Sequence, residues 1–138
     1  MNLKEQLERA KKMLVIRESF IDYAGPIFVV GNIDWLLNGL NPVIISAQAP
    51  KEEFIIINNH IPSWIIQVEH NKNNPNNVLV ITDMDKISLE KQEILLDILK
   101  NNQISTEELP ENLKIILNSD NKCDINFKIR DLVEYYEI

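Results

Sequence analysis

An α/β fold in three layers, a mainly parallel sheet with helices on both faces, is predicted by two features of this 138-residue sequence. Short runs dense in Ile, Leu and Val (Ile27 to Val30, Val43 to Ile45, Val78 to Ile81, Ile115 to Leu117) lack polar alternation, as do strands buried on both faces. Segments with helical spacing of apolar residues separate most of these runs, and that alternation selects parallel strands joined by helical crossovers. The length and the 45% apolar content suit one domain, residues 1–138.

Taken in order, Leu3, Leu7, Ala10 and Leu14 recur at spacings of four, three and four with charges between them. They predict an amphipathic helix from about Asn2 to Ile21, closed by Gly25-Pro26. Pro26 to Val30 is the first core strand, stopped by Gly31-Asn32; Ile33 to Leu40 is a short helix, and Val43 to Ala47 the second strand. Lys51 to Asn59 suits a strand at Phe54 to Ile57 and a helix start at Pro50, and both readings stand. Ile61, Trp64, Ile65 and Val68 have helical spacing, with a helix running to about Asn71. The turn-rich Asn71 to Asn77 leads into the strand Val78 to Ile81. Ser88 caps the following helix, whose stripe is Leu89, Leu95, Leu96 and Leu99, widened by Ile94 and Ile98. A polar loop, Gln103 to Asn112, precedes the strand Leu113 to Leu117. A turn or short helix over Ile125 to Arg130 then leads to a last strand, Val133 to Ile138.

Bulk properties exclude several classes of function. The net charge of −7 disfavours nucleic acid, which binds Lys and Arg through its phosphates. No apolar run approaches the ~20 residues that span a bilayer, and no secretory signal opens the chain, so the expectation is a cytoplasmic protein without a membrane partner. The lone Cys123 forms no internal disulfide, and His60 and His70 lack companions for a zinc site. Polar clusters do close the strands, at Gly31-Asn32, Thr82-Asp83-Met84-Asp85 and Asn118-Ser119-Asp120-Asn121. Ligands of open α/β sheets bind at such carboxyl ends, although Asn, Asp and Ser are also ordinary turn residues.

The order of motifs from Val78 to Ile138 resembles the second half of an AAA+ ATPase core of the P-loop NTPase type, in its MoxR/McrB-like and clamp-loader branches. The resemblance implies that Thr82 stands where the family has the Asp that helps hold Mg²⁺, and Asp83 where a Glu orients the attacking water. A frame shifted by one residue sets Asp83 at the metal position and Met84 at the base. Both alignments leave the pair incomplete, because a neutral hydroxyl lacks the charge a hard cation draws on. Ser119 or Asn121 matches the polar sensor position, and Arg130 the finger that reaches a neighbouring subunit's nucleotide. An exposed Arg130 paired with Asp131 or Glu134 is the plainer expectation.

The phosphate loop, Gly-x-x-x-x-Gly-Lys-Ser/Thr, has no counterpart: none of the three glycines precedes a lysine. Asp34 and Trp35 follow the first strand, where phosphates would lie. The helical lid that follows the fifth strand in the family is missing too. The sequence therefore predicts a non-hydrolysing AAA+-like interaction module with no catalytic residue and no cofactor, its partner a protein, an AAA+ ATPase or itself. Two alternatives differ in class. One is an enzyme or regulator that binds Mg²⁺, a phosphate or ATP in an acidic crevice of Asp83, Asp85 and Asp120. The other is a ligand-free α/β adaptor.

Overall fold

Chain order in the computed structural model, which describes residues 1–138, begins with helix Leu3–Asp22 (α1), strand Ile27–Val30 (β1), helix Asp34–Leu37 (α2) and strand Val43–Ser46 (β2). Helix Ser63–His70 (α3), strand Val78–Thr82 (β3) and the helices Leu89–Gln92 (α4) and Leu96–Asn101 (α5) follow. The short strands Gln103–Ile104 (β4) and Glu107–Glu108 (β5), strand Lys114–Ser119 (β6), helix Phe127–Arg130 (α6) and strand Glu134–Glu137 (β7) complete it. Five strands form one sheet in the order β2-β3-β6-β1-β7, all in parallel register.

The apolar runs explain the sheet. Side chains alternate between faces along a strand, so the runs of β1, β3 and β6 feed two cores, while edge strand β2 feeds one and leaves Ile44 59% exposed. Phe28, Val30, Leu79, Ile81, Ile115 and Leu117 join Trp64, Val68, Leu95, Ile98 and Ile129 on one face. Ile27, Val29, Val78, Val80 and Ile116 join Ile16, Ile33 and Leu36 on the other. Helices α3, α5 and α6 thus cover one face and α1 and α2 the other, which makes the three layers. No helix is long and apolar enough to cross a membrane.

Several elements depart from the sequence expectation. The Ile33 to Leu40 helix is a single turn, Asp34–Leu37. Lys51 to Asn59 adopts neither alternative in full: Lys51–Glu53 is one 3₁₀ turn, and Ile57 makes only an isolated bridge to His60. The helix after Ser88 is interrupted by a 3₁₀ turn at Glu93–Leu95, although Ser88 caps it as expected, accepting from the Lys91 N–H at 3.1 Å. Leu89 is exposed while Ile98 is fully buried. Within the Gln103 to Asn112 loop a small hairpin pairs Gln103 with Glu108 and buries Ile104. Strand β6 runs on through Asn118 and Ser119, which the sequence suggests are turn residues.

The largest departure concerns α1. It forms where expected, capped by Asn2, whose Oδ1 accepts from the Glu5 N–H at 2.9 Å. Yet it packs on the sheet through Ile16, Ser19, Phe20 and Tyr23. Leu3, Leu7 and Leu14, the stripe that marked it as amphipathic, remain 70%, 54% and 57% exposed.

Candidate functional site at the carboxyl ends of the strands

The loops leaving β1 and β6 turn to opposite faces of the sheet, since α2 lies with one core and α6 with the other. The crevice between two such strand ends is the usual ligand position in an open α/β sheet. Here the protein's own groups fill it. Asn118, buried on β6, donates from Nδ2 to the carbonyls of Val29 and Gly31, each at 2.9 Å. The Gly31 N–H donates to the Ser119 carbonyl at 2.8 Å. Gly31 has φ +116°, and a Cβ there would lie 2.8 Å from both the carbonyl oxygen and a side-chain carbon of Ile138. Position 31 thus admits only glycine without rearrangement, for close packing of the chain rather than for a phosphate.

The segment after Gly31 also bonds largely within itself. Asn32 Oδ1 accepts from the Asp34 N–H at 2.8 Å, and the Asn32 carbonyl accepts from the Trp35 indole at 2.9 Å. The N–H groups of Leu36 and Leu37 both donate to the Ile33 carbonyl. Of the backbone donors that could cradle an anion, those of Asp34, Leu36 and Leu37 are taken up within the turn, while those of Asn32, Ile33 and Trp35 have no partner in the chain.

At the end of β3 the chain turns sharply. Asp83 takes the left-handed conformation, φ 62°, which a short polar side chain tolerates better than most. A single 3₁₀ turn, Met84–Lys86, follows and sinks Met84 into the core. Because Ser46 and Thr82 are register partners, both hydroxyls reach the Asp83 carboxylate: Ser46 Oγ donates to Oδ2 at 2.6 Å and Thr82 Oγ1 at 3.2 Å. Lys86 Nζ lies 3.0 Å from Oδ1. Asp83 and Thr82 therefore bind each other instead of facing a shared ligand.

Electrostatics follow this geometry. The Ser46 hydrogen bond, then that of Lys86, holds the Asp83 carboxyl below the ordinary 3.8. The hydrogen bond and charge of Asp83, with lesser contributions from Asp85 and Asp120, raise Lys86. Lys86 is thus the cation paired with Asp83. A carboxyl with a lowered folded pKa stabilises the native state above the unfolded value, and that stabilisation is lost as pH falls through the lowered one. Ser46→Ala should therefore reduce unfolding free energy at pH 7, with the gap to wild type shrinking below about pH 4. Urea titrations from pH 2.5 to 7 measure this; a gap independent of pH would show that the bond does not act through the Asp83 charge.

Asp85, Ser119 and Asn121 form a second link. Asp85 Oδ2 accepts from Asn121 Nδ2 at 3.4 Å, and Ser119 Oγ donates to the Asn121 carbonyl at 2.9 Å. Asp85 Oδ1 is buried and has no partner. No group of three or more His, Cys, Asp or Glu side chains is arranged to hold a metal ion. Cys123 lies nearby, half-buried. Burial first, then the Asp85 charge, pushes its thiol up, which lowers its fraction of reactive thiolate.

Arg130 belongs to a separate cluster. Its guanidinium stacks 3.9 Å above the Tyr135 ring and lines a hollow of about 340 Å³ with Cys123, Asp124 and Glu137. The expected pairing with Asp131 or Glu134 does not form: Glu134 instead accepts hydrogen bonds from Ser19 at 2.5 Å and Tyr136 at 2.6 Å. Burial, with the Glu137 hydrogen bond, pushes the Tyr135 phenol up to about 12, so it stays neutral under the cation.

Fold and strand-end geometry together define an α/β domain whose five parallel strands end in groups bonded mostly to one another. No protein-family model matches the chain, and no curated protein matches it. Sequence reasoning singled out Thr82, Asp83, Asp85, Ser119, Asp120, Asn121 and Arg130 but missed Ser46 and Lys86, and it placed Asn118 in a strand-end polar cluster without its role between β1 and β6. Ser46, the last residue of an apolar run, carried a weak signal; the role of Asn118 carried none, since Asn-Ser-Asp-Asn reads as a turn.

Proposed function

We propose that this chain is a non-hydrolysing AAA+-like core that acts as a protein-interaction module, as partner or modulator of an ATPase ring or of its own copies. The observation that carries the reading is the strand order combined with the state of the loop after β1. In the order β2-β3-β6-β1-β7, the first strand of the sheet lies between the fourth and the fifth. That is the order an AAA+ core implies, with the cradle emerging from the first strand. Here that exit is closed by Asn118 and Ile138, and the backbone donors of Asp34, Leu36 and Leu37 are spent within the turn. Without the cradle, both phosphate binding and stabilisation of the transferring group are lost. Arg130, exposed and stacked on Tyr135, is the residue available to a neighbouring subunit's nucleotide.

A second reading is favoured by one observation, the unpartnered buried Oδ1 of Asp85. A carboxylate oxygen without a donor calls for a cation or a water, and Mg²⁺ needs only one or two carboxylates when water or phosphate supplies the rest. Asp85, with Asn121 and Asp120 beside it, would supply that ligand.

One titration separates the two. Purified protein is titrated with a fluorescent ATP analogue with and without Mg²⁺, and its thermal transition is followed with Mg²⁺ alone. The interaction module predicts no saturable binding at millimolar nucleotide and no shift with metal. A Mg²⁺-dependent shift abolished by Asp85→Asn would move the metal-binding reading to first place. ATP turnover at an ordinary enzymatic rate, abolished by Thr82 or Asp83 substitution, would overturn the first reading.

A further inference from the structure

The outward stripe of α1 needs a cover. The first twelve residues of the chain are exposed throughout, so three turns of a 20-residue helix receive no packing from the sheet. A helical stretch of that length is marginal in water without tertiary support. At 3.6 residues per turn, Leu3, Leu7, Ala10, Leu14 and Ile21 lie about 120–180° round the helix from buried Ile16. They form a seam at coiled-coil spacing, and Leu3, Leu7, Leu14 and Ile21 are each more than half exposed.

The charges beside this seam are asymmetric along the helix. Lys4, Lys11 and Glu18 recur at heptad spacing on one flank, with Glu8 one turn beyond Lys4 and Asp22 one turn beyond Glu18. The flank carries a net positive charge over Lys4, Glu8 and Lys11 and a net negative one over Glu18 and Asp22. A copy of the same helix laid antiparallel sets the basic end beside the acidic end, with the two Lys11 side chains the like charges left facing at the axis, and the macrodipoles also oppose favourably. A parallel copy would instead set basic end beside basic end.

We infer that α1 pairs with α1 of a second copy, antiparallel and about a two-fold axis, through the Leu3-Leu7-Ala10-Leu14-Ile21 seam. Leu14 of each copy packs over Ala10 of the other, a large residue against a small one, which lets the helices approach. Leu3 meets Ile21 at both ends, and Lys4 meets Glu18 twice by symmetry. Lys11, near the axis, lines a cavity of about 460 Å³ beside β7 with Lys12, Val15 and Tyr136. Arg17, in the same seam, is drawn aside by its hydrogen bond to the Trp35 carbonyl and its place over the Trp35 ring. The sheet lies on the opposite side of α1, so two domains do not collide. The inference rests on α1 alone and not on kinship with ATPases.

Sedimentation equilibrium and light scattering test it. The wild-type chain, 16.0 kDa as a monomer, is expected to run at twice that mass at micromolar concentration. Leu7→Glu with Leu14→Glu should give a monomer whose near-ultraviolet dichroism is unchanged, since neither side chain enters the core. Lys4→Glu and Glu18→Lys should each weaken dimerisation by about tenfold, from two surface pairs made repulsive. The double variant K4E/E18K should recover it, a result that lost folding cannot mimic. A wild-type monomer at 100 micromolar would overturn the inference, as would a dimer indifferent to the leucine changes or a charge swap that fails to rescue. Binding of the monomer to anionic phospholipid vesicles through the same leucines would overturn it in favour of a lipid surface. None of these outcomes alters the nucleotide titration, so the two proposals fail separately.

Discussion

Phe28→Ala is expected to destabilise the domain by about 3–5 kcal/mol, the usual cost of emptying a buried aromatic site. Its ring is fully buried on β1, an interior strand of the sheet: Leu117 is its Cα partner on β6 and Tyr135 on β7. The ring lies 5.5 Å from that of Tyr135, centroid to centroid, at a tilt of 36°. Removing it opens a cavity where three strands meet and frees the residue on which Arg130 stacks. For a domain of this size the thermal midpoint should fall by about 10–20 °C. Calorimetry and urea unfolding read the effect, with exposed Ile66 changed to alanine as a control expected within about 0.5 kcal/mol of wild type. A loss below about 1 kcal/mol for Phe28→Ala would mean that β1 is not the packed centre of the sheet.

Gln92→Leu should cost about 2–3 kcal/mol, through hydrogen bonds rather than volume. Gln92 is fully buried at the end of α4. Its amide donates to the Asp124 carbonyl at 2.9 Å and accepts from the Asn126 N–H at 2.7 Å. Asn126 in turn caps α6, accepting from the Lys128 N–H at 3.0 Å. One side chain thus pins the turn that presents Arg130. Leucine has similar volume but leaves the Asn126 donor buried and unpaired. Hydrogen exchange should show protection falling across residues 124–130 while β3 and β6 keep theirs. Uniform loss of protection, or stability unchanged within about 0.5 kcal/mol, would assign Gln92 no such role.

Legibility varied with the kind of residue. The strands β1, β3 and β6 were readable because a strand buried on both faces must be apolar at every core position, and their runs are; β2 reads the same way although its Ile44 faces solvent. The cap at Ser88 was readable for a local reason: it bonds a donor three residues ahead. The failures were all long-range. Asn118 looks like a turn residue because Asn usually is one; only β1 alongside it supplies the two carbonyls that keep it in a strand. Asp83 looked like a candidate ligand until β2 brought Ser46 to it. The leucine stripe of α1 looked like a core face because periodicity records that a face is apolar and not which way it points.

The sequence by itself determined the class of fold, the positions of the main core strands and the absence of a glycine-rich phosphate loop, all properties of contiguous residues. Tertiary structure alone decided the strand order, the sealing of the crevice beyond β1, the partners of Asp83, Asp85 and Arg130, and the outward stripe of α1. Those depend on groups brought together from distant positions, as Ser46 is to Asp83 and Ser19 to Glu134. Local pattern fixes what a segment must bury or satisfy; which neighbour does so is fixed only when the sheet is assembled.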